Sequence, residues 1–249
     1  MRTTGMFCCN CLRIIMDTLT EAGGACRRDA SLLRLLQLAS PAFPVGAYAY
    51  SQGLEWAVER GWVRNESEAG DWIAGLLAHG LARLEVPVTA RLHQAWCATD
   101  LAAVHEWSRW LHACRESAEL RAEDRQLGNA AALALTNLGL EEARSWSTLP
   151  YASFATLFML AAARWHIPWR AAAAGYLWAW AENQVAAAIK LVPLGQAAGQ
   201  RMLARVIDAI PPALDAGADL ADADIGYFAP GLALASARHE TQYTRLFRS

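Results

Sequence analysis

Between Leu32 and Ile210 the chain offers no alternating run of β-branched residues and no hairpin dipeptide between its apolar segments. A half-buried antiparallel sheet needs that period of two. Apolar residues instead recur at three- and four-residue spacing, in segments rich in alanine, the best helix former. The pattern predicts an all-α fold: a single compact multi-helix domain over residues 29–249, preceded by a leader at 1–28. The leader has no helical period and contains Gly23-Gly24, and it reads as disordered or mis-annotated. The start stays open between Met1, Met6 and Met16.

The stretch Ser31 to Trp62 is the most structured in its signals. A dense apolar helix, Leu32 to Ala39, meets Ser40-Pro41, and proline pushes the residue before it out of the helical region. Pro44, Val45 and Gly46 form a turn in which Gly46 takes angles a Cβ would resist. The following helix is expected to bury Tyr50, Leu54, Ala57, Val58 and Trp62 and to turn Tyr48, Gln52, Glu55 and Glu59 outward, ending at Gly61.

Further on, Asn65 with Glu68 reads as an N-cap with its reciprocal glutamate, and Pro87 as a break or kink in the helix that follows. A helix follows over Thr89 to Ala98, and Asp100 caps the next. Buried helices are expected over Tyr151 to Arg164 and Trp169 to Leu191. After a turn at Pro193 and Gly195, a helix from Gln196 to Ile210 is ended by Pro211-Pro212. Asp215, Asp219, Asp222 and Asp224 then read as a solvated acidic linker, since their spacing fails the pattern of a calcium loop. It leads to an aromatic-bearing docking tail over 225–249.

Hydrophobic residues make up 55% of the 249 and charged residues 18%, with eleven tryptophans, an apolar excess of the kind a partner protein covers. A net charge of −2 gives no attraction to nucleic acid or to acidic membranes. The longest apolar segments end at Arg164 and Glu182, short of a membrane span. Cys26, Cys97 and Cys114 lack disulfide-framework spacing, as in a cytosolic protein with free thiols.

Catalytic signatures are missing from the sequence. Lys190, the only lysine, is not preceded by phosphate-loop glycines, and there is no nucleophile elbow. His239-Glu240 opens like a zinc-protease helix, but Tyr243 stands where the second histidine belongs. His105 and His112 lie two turns apart, roughly 10 Å, too far to share a metal. Cys8, Cys9 and Cys11 are thiolate candidates without an evident fourth ligand. Three classes stay open on residues alone: an interaction protein, a nickel-binding protein using those cysteines and scattered histidines, and a small-molecule enzyme with an aromatic-lined helical pocket.

Three strings add a resemblance. LLQLASPAFPVGAYAYSQGLEWAVE (Leu35 to Glu59), LVPLGQAAGQ (Leu191 to Gln200) and HETQYTRLFRS (His239 to Ser249) resemble, in that order, the signatures of the UreF family of urease accessory proteins. Ser51, Gly53, Leu54 and Glu55 fill the family's Ser-x-Gly-Leu-Glu helix start. The resemblance implies a dimeric all-helical chaperone component without cofactor or enzymatic activity. It would act with UreD (also UreH) and the GTPase UreG to insert nickel into the urease apoprotein. The alternative kept beside it is nickel binding by the chain alone.

On that footing the partner-binding candidates are Tyr48, Tyr50, Ser51, Gln52, Glu55, Gln196, Gln200, His239, Glu240, Gln242, Tyr243, Arg245, Leu246, Phe247 and Arg248. Pro44, Gly46, Gly53, Pro193 and Gly195 are the structural turns. Tyr50 stands where many members carry histidine, which weakens any nickel role for that position here. The tail is expected to be mobile alone and to order on the UreD-type partner, where Tyr243 and Phe247, four apart, share a face if it coils into a helix.

Overall fold

Four short polar side chains start four of the helices. Asn65, Asp100, Ser117 and Ser153 accept hydrogen bonds from the backbone N–H three residues on, at 3.0–3.1 Å. The first two are the caps legible in sequence. Glu68 does not close back on Asn65; its carboxylate accepts from the Arg64 backbone N–H at 2.7 Å and from the Arg64 guanidinium.

The computed structural model describes residues 29–227 and 229–249. The leader, with Cys8, Cys9 and Cys11, lies outside them, and so does any metal site there. Among the described residues every regular element is helical. Helix α1 spans 29–39. It is followed by a 3-10 turn at Ala47–Ala49, α2 (Leu54–Glu59), α3 (Glu66–Leu76) with a π turn at Leu77–Leu81, α4 (Glu85–Ala98) and α5 (Leu101–Ala113). The chain continues through α6 (Ala118–Asn137), a 3-10 segment Glu141–Trp146, α7 (Phe154–Arg164), α8 (Trp169–Leu191) and α9 (Gln196–Ala218). A 3-10 turn at Asp222–Asp224 leads to α10 (Pro230–His239).

Helix α7 is the centre. Every residue from Ala155 to Ala163 is buried, because α4, α6 and α8 pack around it. A helix surrounded in this way needs no polar face. Helix α8 forms an antiparallel pair with α9, and α10 lies across α2 and the start of α6.

Several expectations are corrected. Helix α9 does not stop at Pro211-Pro212 but runs to Ala218. The carbonyls deprived of partners by the two prolines are those of Ile207 and Asp208, both at exposed positions where water reaches them. Beyond the prolines Ala213, Leu214 and Gly217 are buried, and Gly217 lies so close to the Ala82 carbonyl and the Val86 side chain that no Cβ would fit. Tertiary burial thus outweighs the proline penalty. Pro87 breaks nothing: the irregularity falls earlier, at the π turn, and Pro87 sits in the first turn of α4, where its missing N–H costs no helical bond.

The acidic segment is less free than its composition suggests. Asp215 belongs to α9 and pairs with Arg170 at 2.5 Å, while Asp222 pairs with Arg91 at 2.9 Å. No described helix is long and apolar enough to cross a membrane.

Candidate functional site

The segment following α1 behaves as its glycines require. Gly46 has φ 80° and opens the 3-10 turn. Gln52 at φ 52° and Gly53 at φ 78° are both left-handed, so α2 cannot begin before Leu54. This breaks the helical register assumed from Tyr48 to Glu55 and overturns the outward placement of Glu55, which is buried. Trp62, expected inside, is 43% exposed and meets Trp56 edge-on with ring centroids 4.9 Å apart.

What buries Glu55 is the C-terminal strap, residues 240–249. Its carboxylate accepts the backbone N–H of Leu246 at 2.6 Å and of Phe247 at 2.9 Å, and faces His239 Nε2 at 3.1 Å. His239 is fully buried and its Nδ1 meets Glu119 Oε2 at 2.7 Å. The imidazole thus stands between two carboxylates, one at each ring nitrogen. Arg245 places its guanidinium on Glu119 at 2.8 Å.

The end of the strap is fixed as firmly. The Ser249 carbonyl accepts from Ser51 N–H at 2.9 Å and from Ser51 Oγ at 2.5 Å. Arg248 N–H donates to Ala49 O at 2.8 Å. Ser249 Oγ donates to Glu123 at 2.7 Å, and Glu123 accepts from Gln52 Nε2 at 2.8 Å. Trp180 Nε1 then donates to Gln52 Oε1 at 2.8 Å, tying the loop to α8. Burial pushes the Glu123 carboxyl up to about 7. The Tyr50 phenol is likewise raised by burial, with Arg248 opposing, and donates to Gln126 at 2.5 Å. Glu240 accepts Ala118 N–H at 2.9 Å, a charged cap at the start of α6.

The structure therefore brings most of the candidates together. Tyr50, Ser51, Gln52, Glu55, His239, Glu240, Arg245, Phe247 and Arg248 belong to one network joining the loop, α6, α10 and the strap. Gln242 bonds only locally, its side chain to Thr244 O and its backbone N–H to His239 O, both at 3.0 Å. Tyr48, Tyr243 and Leu246 point to solvent. Gln196 and Gln200 are exposed on the first turns of α9, and among the described residues no hydrogen bond links them to the strap. Pro193 and Gly195 do make the turn before α9, but Gly195 has φ −77°, which any residue adopts.

The strap is packed rather than free, and it is not helical after α10. Phe247 faces inward under Lys190, whose Nζ lies 5.7 Å from the ring centroid, while Tyr243 faces outward. Sequence reading missed Glu119 and Glu123. Their spacing of four on a helix was the available signal, since it puts both on the face that meets the strap. Among the described residues no group of three or more His, Cys, Asp or Glu is arranged to hold a metal ion.

Comparison with known proteins gives a consistent result. The UreF family model matches residues 63–207. A urease accessory protein UreF of Alkalilimnicola ehrlichii is 54% identical over 234 residues, covering 94% of this chain and 100% of the relative. Those of Marinobacter nauticus and Dechloromonas aromatica are 48% and 50% identical, covering 94% and 88% of this chain and 99% and 97% of their own lengths. With the family model spanning more than half the chain and relatives this similar over their full lengths, the chain belongs to the UreF family of urease accessory proteins.

Proposed function

We propose that this protein is a non-catalytic, cytoplasmic, homodimeric component of the urease maturation machinery. It docks on a UreD/UreH-type accessory protein, recruits the GTPase UreG, and so couples GTP turnover to nickel insertion into the urease apoprotein. Family membership supports the setting.

The observation that carries the docking role is the division of labour along the strap. His239, Phe247 and Ser249 are buried and anchor it, while Tyr243 is fully exposed and Leu246 is 66% exposed on the same short segment. Aromatic and apolar side chains held out on an anchored backbone have already lost the conformational freedom that binding would otherwise remove. Tyr48, 71% exposed, is next in sequence to Ala49, whose carbonyl holds Arg248, and extends the same surface.

The test is co-purification of a UreD-type partner with the wild-type chain and with a Tyr243→Ala, Leu246→Ala double variant. Both residues are exposed, so the variant should melt like wild type and lose most partner capture and urease activation. Unchanged capture by a folded double variant would move recognition off the strap.

A further inference from the structure

Helix α1 is held firmly on one side and bare on the other. Ser31 Oγ donates to the Trp165 carbonyl, just past α7, at 3.2 Å, and the Arg34 guanidinium lies 4.7 Å from the Trp165 ring centroid. Leu35 presses so closely on Gly175 of α8 that a Cβ there would come within 2.6 Å of Leu35 Cδ1. Leu38 is buried, and so is Phe43 beyond the helix end. Fixed in this way, α1 cannot roll to hide its other side. Leu32, Leu33 and Leu36 stand there together, each between 56% and 66% exposed.

A groove runs beside this leucine ridge. Gln37, Pro44, Asn137 and Leu138 are among its lining residues, so it lies between the end of α1 and the end of α6. Leu33 is one turn before Gln37, and the exposed Leu133 is one turn before Asn137. Leu138 is exposed as well. Ridge, groove and the far rim on α6 therefore form one surface. Its five leucines expose roughly 500 Å2, toward the upper end for the largest apolar patch of a monomer and more than half of the ~800 Å2 per partner that a stable pair covers. None of the residues named on it is charged, and Arg34 of the same helix is engaged by Trp165 and by Gln37 Oε1 at 2.9 Å.

We propose that a second copy of this chain docks on this surface about a two-fold axis, with the leucine ridge of each copy in the groove of the other. The inference rests on the homodimeric reading given above and adds the surface to it. A two-fold interface uses the same patch on both chains, so the patch has to be compatible with itself. An uncharged patch brings no like charges together, and a ridge beside a groove supplies both halves of the fit. Nucleic acid or an acidic lipid surface would need cations that this patch does not carry. The firm seating of α1 means that little freedom is lost when the leucines are covered.

Light scattering of the full chain at micromolar concentration tests the assignment, with circular dichroism to confirm folding. The wild type should have the mass of two chains. A Leu33→Glu, Leu36→Glu double variant sets like charges against an apolar surface and should have the mass of one chain. Leu133→Glu should do the same from a different helix, so the test does not depend on one variant folding. Leu234→Glu, at an exposed leucine of α10 outside the patch, should keep the mass of two chains. Folded variants of both α1 and α6 that stay paired, or equal dissociation by Leu234→Glu, would overturn the surface and leave the homodimeric reading intact. A wild type with the mass of one chain would overturn both.

Discussion

Glu55 Oε2 and His239 Nε2 lie 3.1 Å apart although 184 positions separate them in the chain. The pair joins the start of α2 to the end of α10, and Glu119 on the far side of the ring makes it a buried acid–imidazole–acid bridge. Its energetics are asymmetric. Removing the ring leaves both carboxylates short of a buried hydrogen-bond partner, which costs more than the bridge itself contributes.

The first prediction follows directly. His239→Leu should destabilise the protein by about 2–5 kcal/mol, because Glu55 and Glu119 each lose a buried hydrogen-bond partner. Urea unfolding of the two proteins measures it. A loss below about 1 kcal/mol, the size of an ordinary surface pair, would show that the bridge carries little of the fold.

A second prediction concerns the strap itself. Deleting residues 240–249 takes two N–H donors from Glu55, one hydroxyl donor from Glu123 and the carbonyl acceptor from Ser51. Hydrogen bonds to charged groups contribute about 1.5–3 kcal/mol each, so the truncated chain should lose at least about 3 kcal/mol and melt several degrees lower. A free tail would leave the melting temperature unchanged, and differential scanning calorimetry separates the two outcomes.

The third prediction is a pH dependence with a definite sign. Glu123 is raised to about 7 from an ordinary carboxylate value of 4.5. Below the ordinary value both folded and unfolded chains hold the proton, and the site carries no penalty. As the pH rises from there to about 7 the unfolded chain releases its proton while the folded one keeps it, so stability falls, then levels off. The full difference is on the order of 3 kcal/mol. Glu123→Gln should abolish this slope, and wild-type minus variant stability across pH 4 to pH 8, roughly the window set by the linkage, isolates it. A constant difference would place the Glu123 carboxyl at its ordinary value.

Two glycines give a fourth, comparative prediction. Gly46 and Gly53 share a left-handed backbone, at φ 80° and 78°, but a Cβ on Gly46 meets nothing within 4 Å. On Gly53 it would come within 2.9 Å of Ser236 N and 3.1 Å of Ala235 Cβ. Gly46→Ala should therefore cost only the backbone term, about 1–2 kcal/mol. Gly53→Ala should cost more, because α10 has to move away. Denaturant midpoints for the pair decide it, and equal losses would mean that α10 yields freely at this contact.

Much of this architecture was legible from local chemistry. Asn65 and Asp100 announced their helices because a cap is a relation between residues three apart, and α8 was bounded by Pro168 and by the Pro193 turn. The errors lie where distant burial decides. Nothing within α9 says that Leu214 and Gly217 will be covered, so the prolines looked terminal. Nothing near Glu55 says that two backbone amides from the strap will reach its carboxylate, so an acid on a helical period looked solvated. The residues around the loop were found through family resemblance, whereas Glu119, Glu123 and the Glu85–Arg115–Asp124 group were not, because their partners come from other helices.

The span of the strap also fixes an order of events during synthesis. Ser51 and Glu55 leave the ribosome among the early residues, yet their partners, His239 to Ser249, come 184 to 198 positions later. At roughly 5–20 residues per second that interval lasts on the order of ten seconds or more, long enough for helical segments to form and pack. Throughout it the loop stands open, its acids wet and its amides unclaimed. Closure of the loop is thus a late event that requires the distal chain, and a nascent chain arrested before α10 would carry an unsealed entrance however well its central helices had assembled.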